Sequence, residues 1–524
     1  MILLKNISKT FGQRFLFKDI NYTFPQNGRV ALIGNNGAGK TTLLNIICGL
    51  DENFEGKILI PKQVRMGYLP QIYNQNPLSS LLNEAMSGAS EINAIVRERS
   101  EVLLKIEQNY TQKLYDRFEV LEDQFKLLKG YRIEEDTKHL LKGFGFQQEQ
   151  FDLPVTQLSG GWRMRLEFVK MLINKPDFLI LDEPTNHLDL PSIEWLETFL
   201  QKYEGTILFV SHDKDLLNRL ATHVLHLRQG KLTEYLGNFD AFLEGFELKQ
   251  TQNSQIARQL DAQAAHIETF IKRFGAKASK ASQAQSKLKA LLKLKMLKDS
   301  VEIEQLSDTM NLTLQNPRPS GKVVLRVNTV SIGYDKPLLK GLNFIIERGM
   351  RLAILGANGL GKTTLLKTLL GIQKPLQGNL EFGHNVHPGY FAQENIESLD
   401  ETQTILENAS QANTHLREQD LRSLLANLGI SGGEVNKKVS VLSGGEKSRV
   451  ALSCLLAKQP NTLFLDEPTN HLDLSACENL AMSLSNFSGT LIFVSHNSAF
   501  INSVATHTLY LEQRGKYTFT EVPS

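Results

Sequence analysis

Two nine-residue strings hold the most reactive chemistry in the chain. They are Gly34, Asn35, Asn36, Gly37, Ala38, Gly39, Lys40, Thr41 and Thr42, and, 322 residues later, Gly356, Ala357, Asn358, Gly359, Leu360, Gly361, Lys362, Thr363 and Thr364. Both fit G-x-x-x-x-G-K-[ST]. In this pattern the glycines let successive backbone N–H groups turn inward around a β-phosphate, and the following helix adds its N-terminal dipole. Lys40 and Lys362 would neutralise β- and γ-oxygens, and Thr41 and Thr363 would give a hydroxyl to Mg2+. Such a metal also needs carboxylates nearby. Asp182 and Asp466 each close an apolar run inside the string LDEPTNHLDL, at 181–190 and again at 465–474, and can reach the metal through water. Glu183 and Glu467 come next, where a carboxylate can orient and deprotonate an attacking water. These types and spacings predict Mg2+-dependent hydrolysis of a nucleoside triphosphate, encoded twice. Glycine turns before helices and solvated acidic turns are the bland readings, and a matched second copy argues against both.

Chemistry of this kind needs strands that end beneath the phosphates. Residues 29–33 and 351–355 are apolar runs with one charge each, leading into the glycine turns; 178–181 and 462–465 end in Asp-Glu-Pro, and 206–210 and 490–494 are similar. Short apolar runs alternating with helical segments predict buried parallel strands, an α/β fold. The copies differ in spacing. Gln71 and Gln393 keep the 322-residue offset, but Ser159 in LSGGW and Ser443 in LSGGE are 284 apart, as are the VSH triplets at 210–212 and 494–496. The first copy therefore carries a net insertion of 38 residues between Gln71 and Ser159.

The insertion, about 91–129, contains neither Gly nor Pro. Leu114, Phe118, Leu121, Phe125 and Leu128 recur at helical spacing, and a turn near Tyr110 would let two helices return the chain to its own module. A second unmatched stretch joins the copies. Leu260, Ala264, Ile267, Ile271 and Phe274 predict a long amphipathic helix, followed by a Gly/Ala/Ser/Lys knuckle and a second helix with Leu288, Leu291, Leu292 and Met296. From 271 to 298 there are nine Lys or Arg and no Asp or Glu. Such a knuckle suits RNA phosphates, whereas a solvated helical hairpin is the bland reading. The expected division is a first module at 1–238 with its arm at about 91–129, a helical linker at 239–321, and a second module at 322–524.

Composition narrows the remaining classes. Net charge is only +2 over 524 residues, so any nucleic-acid contact must come from a local patch. Three cysteines (Cys48, Cys454, Cys477) are too few and too scattered for a disulfide scaffold or zinc finger. No apolar run reaches 18 residues, and the start shows no basic region followed by an apolar one, so neither a membrane span nor a secretion signal is expected.

Taken together, the Walker A loop, glutamine, LSGG turn, Walker B Asp-Glu and later histidine resemble an ATP-binding cassette (ABC) ATPase present twice. The resemblance implies tandem P-loop NTPase cassettes packed head to tail, each ATP lying between one Walker A loop and the opposite LSGG. One site would pair 34–42 with Ser443, Gly444 and Gly445; the other would pair 356–364 with Ser159, Gly160 and Gly161. It further implies that His212 and His496 contact the γ-phosphate and that Asp189 and Asp473 lie in crossing D-loops. Gln71 and Gln393 would touch Mg2+ and the water. Phe11 and Tyr334 would stack on adenine, although a lone aromatic is more often core. Trp162 and Glu446 replace the usual glutamine after LSGG, and Asn497 stands where the first copy has Asp213.

The linker FIKRFGAKASKASQAQSKLK (270–289), the exit EYLGNFDAF (234–242), PTNHLD in both copies and the inserted arm resemble ABC subfamily F. LSGGWRMR (158–165) points to its YheS-like branch. In that family the linker enters the ribosome and touches tRNA. The resemblance therefore implies a cytoplasmic, monomeric ATP-hydrolysing translation factor that binds the ribosome near the tRNA exit site. It would contact rRNA and tRNA through Lys272, Arg273, Lys277, Lys280, Lys287 and Lys289, and no DNA is expected. Gly275 stands where an arginine is common, and no basic C-terminal extension precedes Ser524. The alternative is an ATPase subunit of a transporter whose spans lie on another chain, for which the arm and the knuckle have no use. A DNA-repair clamp of the tandem-cassette kind would carry zinc cysteines.

Overall fold

The computed structural model describes residues 1–11, 14–69, 79–158, 160–185, 188–274, 286, 288–295, 318–334, 336–430, 432–470, 472, 474–512 and 515–522. Gln71, Ser159, Lys277, Lys280, Lys287 and Asp473 lie outside the described residues.

Both copies have the same two-sheet topology. In the first, a six-stranded sheet runs in the order Met66–Leu69, Phe178–Asp182, Thr206–Val210, Arg29–Ile33, His223–Arg228, Lys231–Leu236. All neighbours are parallel except the last pair. In the second, the order is Pro388–Phe391, Thr462–Asp466, Thr490–Val494, Arg351–Gly356, His507–Leu511, Tyr517–Glu521. Every residue of Phe178–Asp182 and of Thr206–Val210 is buried, which explains their continuous apolar sequence: both faces are covered. A three-stranded antiparallel sheet lies beside each, formed by Leu3–Phe11 with Arg14–Thr23 and Glu55–Leu59, and by the corresponding strands around Val323–Gly333.

The helix after each glycine turn packs between the two sheets. Leu43, Leu44, Ile46 and Ile47 of Lys40–Ile47 share a core with Ile7, Phe17, Ile180 and Leu208. The other face of the large sheet carries Leu179, Leu181 and Phe209 against Phe168 and Leu172 of helix Gly160–Leu172. The single charge in each central strand has a task. The Arg29 guanidinium donates to the carbonyls of Gly205 (3.2 Å) and Gln201 (3.2 Å), and that of Arg351 to Val504 (2.7 Å) and Ser485 (2.9 Å). Gln201 and Ser485 end the helices Leu190–Gln201 and Leu474–Ser485, so each arginine satisfies carbonyls at a helix C-terminus.

The insertion forms two helices, Ser90–Gln108 and Gln112–Leu127, with Thr111 capping the second through the Leu114 N–H. Arg99–Glu122 (2.9 Å) and Arg117–Glu98 (2.6 Å) pair across the hairpin, while Leu103, Leu104, Tyr110 and Tyr115 remain exposed. Between the cassettes runs the 36-residue helix Phe239–Phe274, about 54 Å long at 1.5 Å per residue. Phe239, Phe242 and Phe246 root it in the first cassette's core. A returning helix at 288–295 is tied to it by Lys295–Glu268 at 3.0 Å. Lys272 and Arg273 fall in the last turn of the long helix, and Lys289 is exposed on the returning one.

Candidate active site

The candidate catalytic residues converge because parallel strands deliver them to one edge. Asp182 pairs with Val210, and Asp466 with Val494, at the carboxyl ends of their strands, the end at which open α/β sheets bind ligands. Residues from both cassettes line one continuous cleft of about 1090 Å³.

In each glycine turn the backbone shapes an anion cradle. Gly37 and Gly359 have φ of 78° and 84°, and a Cβ there would meet nothing within 4 Å, so the turn leaves open space rather than a packed interior. Gly39, at φ 100°, is hemmed in by Leu16, 2.8 Å from where its Cβ would lie. Lys40 Nζ donates to the carbonyls of Gly34 (2.7 Å) and Asn35 (3.4 Å). Lys362 Nζ donates to Gly356 (2.9 Å) and Ala357 (3.1 Å). Burial lowers the Lys362 pKa, with Glu467, Asp189 and Asp466 acting against that shift. Each amine is held over the carbonyls of its own loop.

The donors below suit Mg2+. The Thr363 hydroxyl donates to Asp466 Oδ1 at 3.3 Å, and Thr41 bonds to Asp182 in the same way. Asp182 Oδ2 is buried with no hydrogen bond. Burial raises the pKa of both aspartates, as expected for carboxylates taken out of water. Among the described residues no cluster of three or more His, Cys, Asp or Glu could hold a metal alone. A hydroxyl and a carboxylate fit a cation held largely by nucleotide phosphates and water.

Glu183 and Glu467 have φ of 54° and 49°, a left-handed conformation that costs a non-glycine residue about 1–3 kcal/mol. The N–H of each, at 3.0 Å, donates to the carbonyl of Val210 or Val494 on the neighbouring strand. Their carboxylates meet the two histidines of the VSH triplets: Glu183 Oε1–His212 Nε2 is 3.0 Å and Glu467 Oε1–His496 Nε2 is 3.2 Å. Burial and the nearby Asp466 push the Glu467 carboxyl up to about 7, a value suited to taking a proton from water near neutral pH.

Contacts between the cassettes complete the cleft. Asp189 Oδ2 accepts the Asn358 N–H of the second glycine turn at 2.9 Å. Its Oδ1 is held by Arg165 (2.5 Å) and the Ser192 N–H (3.2 Å). Burial acts to raise the Asp189 pKa, but the bonds from Ser192 and Asn358 and the charge of Arg165 bring it below the usual range. Ser443, Gly444 and Gly445 open onto the same cleft as Lys40 and Thr41, and Tyr334 stands at its edge, 69% exposed. Phe11 lies at the end of its strand, Gln393 begins helix Gln393–Glu397, and Gly160 and Gly161 begin helix Gly160–Leu172.

Two lining residues carry no signal in the sequence. Leu16 and Leu338 face Gly39 and Gly361 across the cleft wall. They too are 322 residues apart, but an apolar residue in an apolar strand is not distinctive. The Asp213/Asn497 difference turns out to be conservative. Asp213 caps its helix through the N–H groups of Asp215 and Leu216, and Asn497 does so through that of Phe500.

The ABC transporter family model matches residues 17–186 and 339–470, and a second model of the same description matches 225–311. YfmM of Bacillus subtilis, an ABC transporter ATP-binding protein, is 35% identical over 97% of this chain and 98% of its own length. ABC transporter F family member 5 of Arabidopsis thaliana is 34% identical, over 98% and 75%. YheS of Escherichia coli K12 is 32% identical, over 98% and 78%. Among solved structures, one of the archaeal ribosome recycling factor aABCE1 with the ribosomal stalk protein aP1 superimposes with a TM-score of 0.61. It covers 98% of this chain and 88% of the matched one at 18% identity, a likeness of fold.

Proposed function

The chain belongs to the F family of ATP-binding cassette proteins, and on that footing we propose that it is a translation factor of the cytoplasm. In this reading it binds the ribosome near the tRNA exit site, closes on two ATP molecules, and is released when they are hydrolysed to ADP and phosphate.

The observation that supports the ribosome is the linker. Residues 271–298, which take in the end of the long helix rooted in the first cassette and the whole of the returning helix, hold nine basic and no acidic residues. A cationic stretch borne by helices rooted in a cassette fits a dense polyanion and has no use against a membrane subunit. Lys272, Arg273, Lys277, Lys280, Lys287 and Lys289 are the proposed RNA contacts. Two solved proteins of similar fold, a ribosome recycling factor and an ABCE1 bound with Pelota to the ribosome, agree with this choice. Among the described residues no helix is long and apolar enough to cross a membrane.

In the proposed reaction Lys40 and Lys362 leave their loop carbonyls for phosphate oxygens. Glu183 and Glu467 orient water and take its proton, held in place by His212 and His496. Thr41 with Asp182, and Thr363 with Asp466, would hold Mg2+ with help from Gln71 and Gln393; when bound, that ion offsets phosphate charge. Ser443, Gly444 and Gly445 would close over the first ATP, and Ser159, Gly160 and Gly161 over the second, while Asp189 and Asp473 bridge the halves. Phe11 and Tyr334 would face adenine. ATP thereby joins the cassettes, and hydrolysis removes the joint.

The test is the variant Glu183→Gln with Glu467→Gln, sedimented with ribosomes and ATP. It should bind nucleotide, turn over none, and travel with the ribosomes. A protein left at the top of the gradient would count decisively against the ribosome, and one recovered with an integral membrane protein would favour the transporter alternative.

A further inference from the structure

At the signature turn of the second cassette, Ser443 already has a partner. Its N–H donates to Glu446 Oε2 at 2.8 Å, its hydroxyl donates to the same oxygen at 2.7 Å, and the Glu446 N–H donates back to Ser443 Oγ at 3.4 Å. This capping box satisfies two orphan donors of helix Gly444–Ala457. The same serine lines the cleft that Lys40 and Thr41 also line. Donors that a triphosphate over Lys40 would use are therefore held by a carboxylate of the chain itself. Although partial burial acts to raise the Glu446 pKa, the bonds from Ser443 and the charges of Arg449 and Lys437 keep it below the usual carboxylate range. Its negative charge thus lies directly behind Ser443, at the wall of the cleft.

The first cassette places Trp162 at this position. An indole offers one N–H donor and no acceptor, so it cannot take a serine's protons. Its ring packs on Phe146, with centroids 4.8 Å apart, and lies 4.1 Å from the Arg165 guanidinium. Arg165 in turn holds Asp189, which bonds to the second glycine turn. One signature turn is thus backed by an acidic clamp, and the other by an aromatic and cationic prop.

We propose that Glu446 makes the two nucleotide sites unequal. The site on Lys40 binds ATP more weakly than the site on Lys362, because Ser443 must first leave Glu446 and the freed carboxylate then repels the γ-phosphate. This inference rests on the reading that each ATP is clasped between one glycine turn and the opposite signature turn.

Calorimetric titration of the full-length Glu183→Gln, Glu467→Gln chain with Mg-ATP tests it. Two binding events should appear, the weaker lost in Lys40→Ala and the tighter in Lys362→Ala. Glu446→Gln keeps a capping acceptor but removes the charge, and should tighten only the weaker event, by about fivefold, or about 1 kcal/mol. Trp162→Glu should weaken only the tighter one, and melting without nucleotide checks that both variants fold; if Trp162→Glu does not, Glu446→Gln alone decides. Equal affinities in the parent, or a Lys40 site left unchanged or weakened by Glu446→Gln, would overturn the proposal while leaving the clasped sites standing. If neither lysine variant removes a binding event, the clasped-site reading itself falls.

Discussion

Replacing Asp189 by alanine should destabilise the first cassette by several kcal/mol, through two separate losses. Asp189 caps helix Leu190–Gln201 through the Ser192 N–H, and losing such a cap costs about 1 kcal/mol. It is also the ion-pair partner of Arg165, the two side chains being 4% and 8% exposed, and stranding one member of a buried pair costs about 3–5 kcal/mol. Arg165 keeps the Phe144 carbonyl at 3.1 Å and the Trp162 ring at 4.1 Å, which favours the lower end of that range. The expected sum is about 4 kcal/mol, so at a slope of about 3 kcal/mol per M the urea midpoint should fall by more than about 1 M. Tryptophan fluorescence isolates the effect, because the chain's two tryptophans, Trp162 and Trp195, both lie in the first cassette. Adding Arg165→Met removes the stranded charge and should recover more than half of the loss. A midpoint shift below about 0.3 M, or a double variant no better than the single one, would refute the assignment of Asp189 as a buried charge partner.

Acid should destabilise the root of the linker. Burial beside Phe242 and Phe246 lowers the His226 pKa to about 4 from 6.5, so the folded state keeps it neutral while the unfolded state takes up a proton below about pH 6.5. The stability it preserves is present above that pH and is lost as pH falls toward 4, by up to about 3 kcal/mol. His226→Phe should flatten the urea midpoint against pH in that window, and an unchanged slope would reject the idea. Lys277, Lys280, Lys287 and Lys289 replaced together by Glu should weaken ribosome binding and spare basal ATPase. The log–log salt slope should shrink by about 0.7–0.9 for each phosphate no longer neutralised; unaltered binding would remove RNA recognition from the knuckle. Tyr334→Ala should weaken nucleotide binding at the second site about fivefold, read by titration with a fluorescent ATP analogue, if its ring stacks on adenine as proposed.

The glycine turns, the Asp-Glu pairs and the two unmatched segments were legible in the sequence because each is local. A phosphate cradle is the backbone of nine consecutive residues, and a helical stripe repeats every three or four. Comparing the 322- and 284-residue offsets was enough to bracket the arm between Gln71 and Ser159. The capping box of Ser443 and Glu446 is equally local, three residues apart, yet in the sequence Glu446 stands out only as a departure from glutamine. The lone arginine of each central strand reads there merely as a charge in an apolar run. Its carbonyl partners lie 134–176 residues away for the pairs described.

By itself, then, the amino-acid order named the residues proposed to bind phosphate and metal, and showed that they occur twice. Packing alone decided that the Asp189 carboxylate meets the Asn358 N–H, 169 residues away, and that Leu16 and Leu338 wall the cleft. Phosphate binding depends on backbone geometry that a few neighbouring glycines specify. A bond between halves depends on where two separately buried cores place their loops, which no short stretch of sequence encodes.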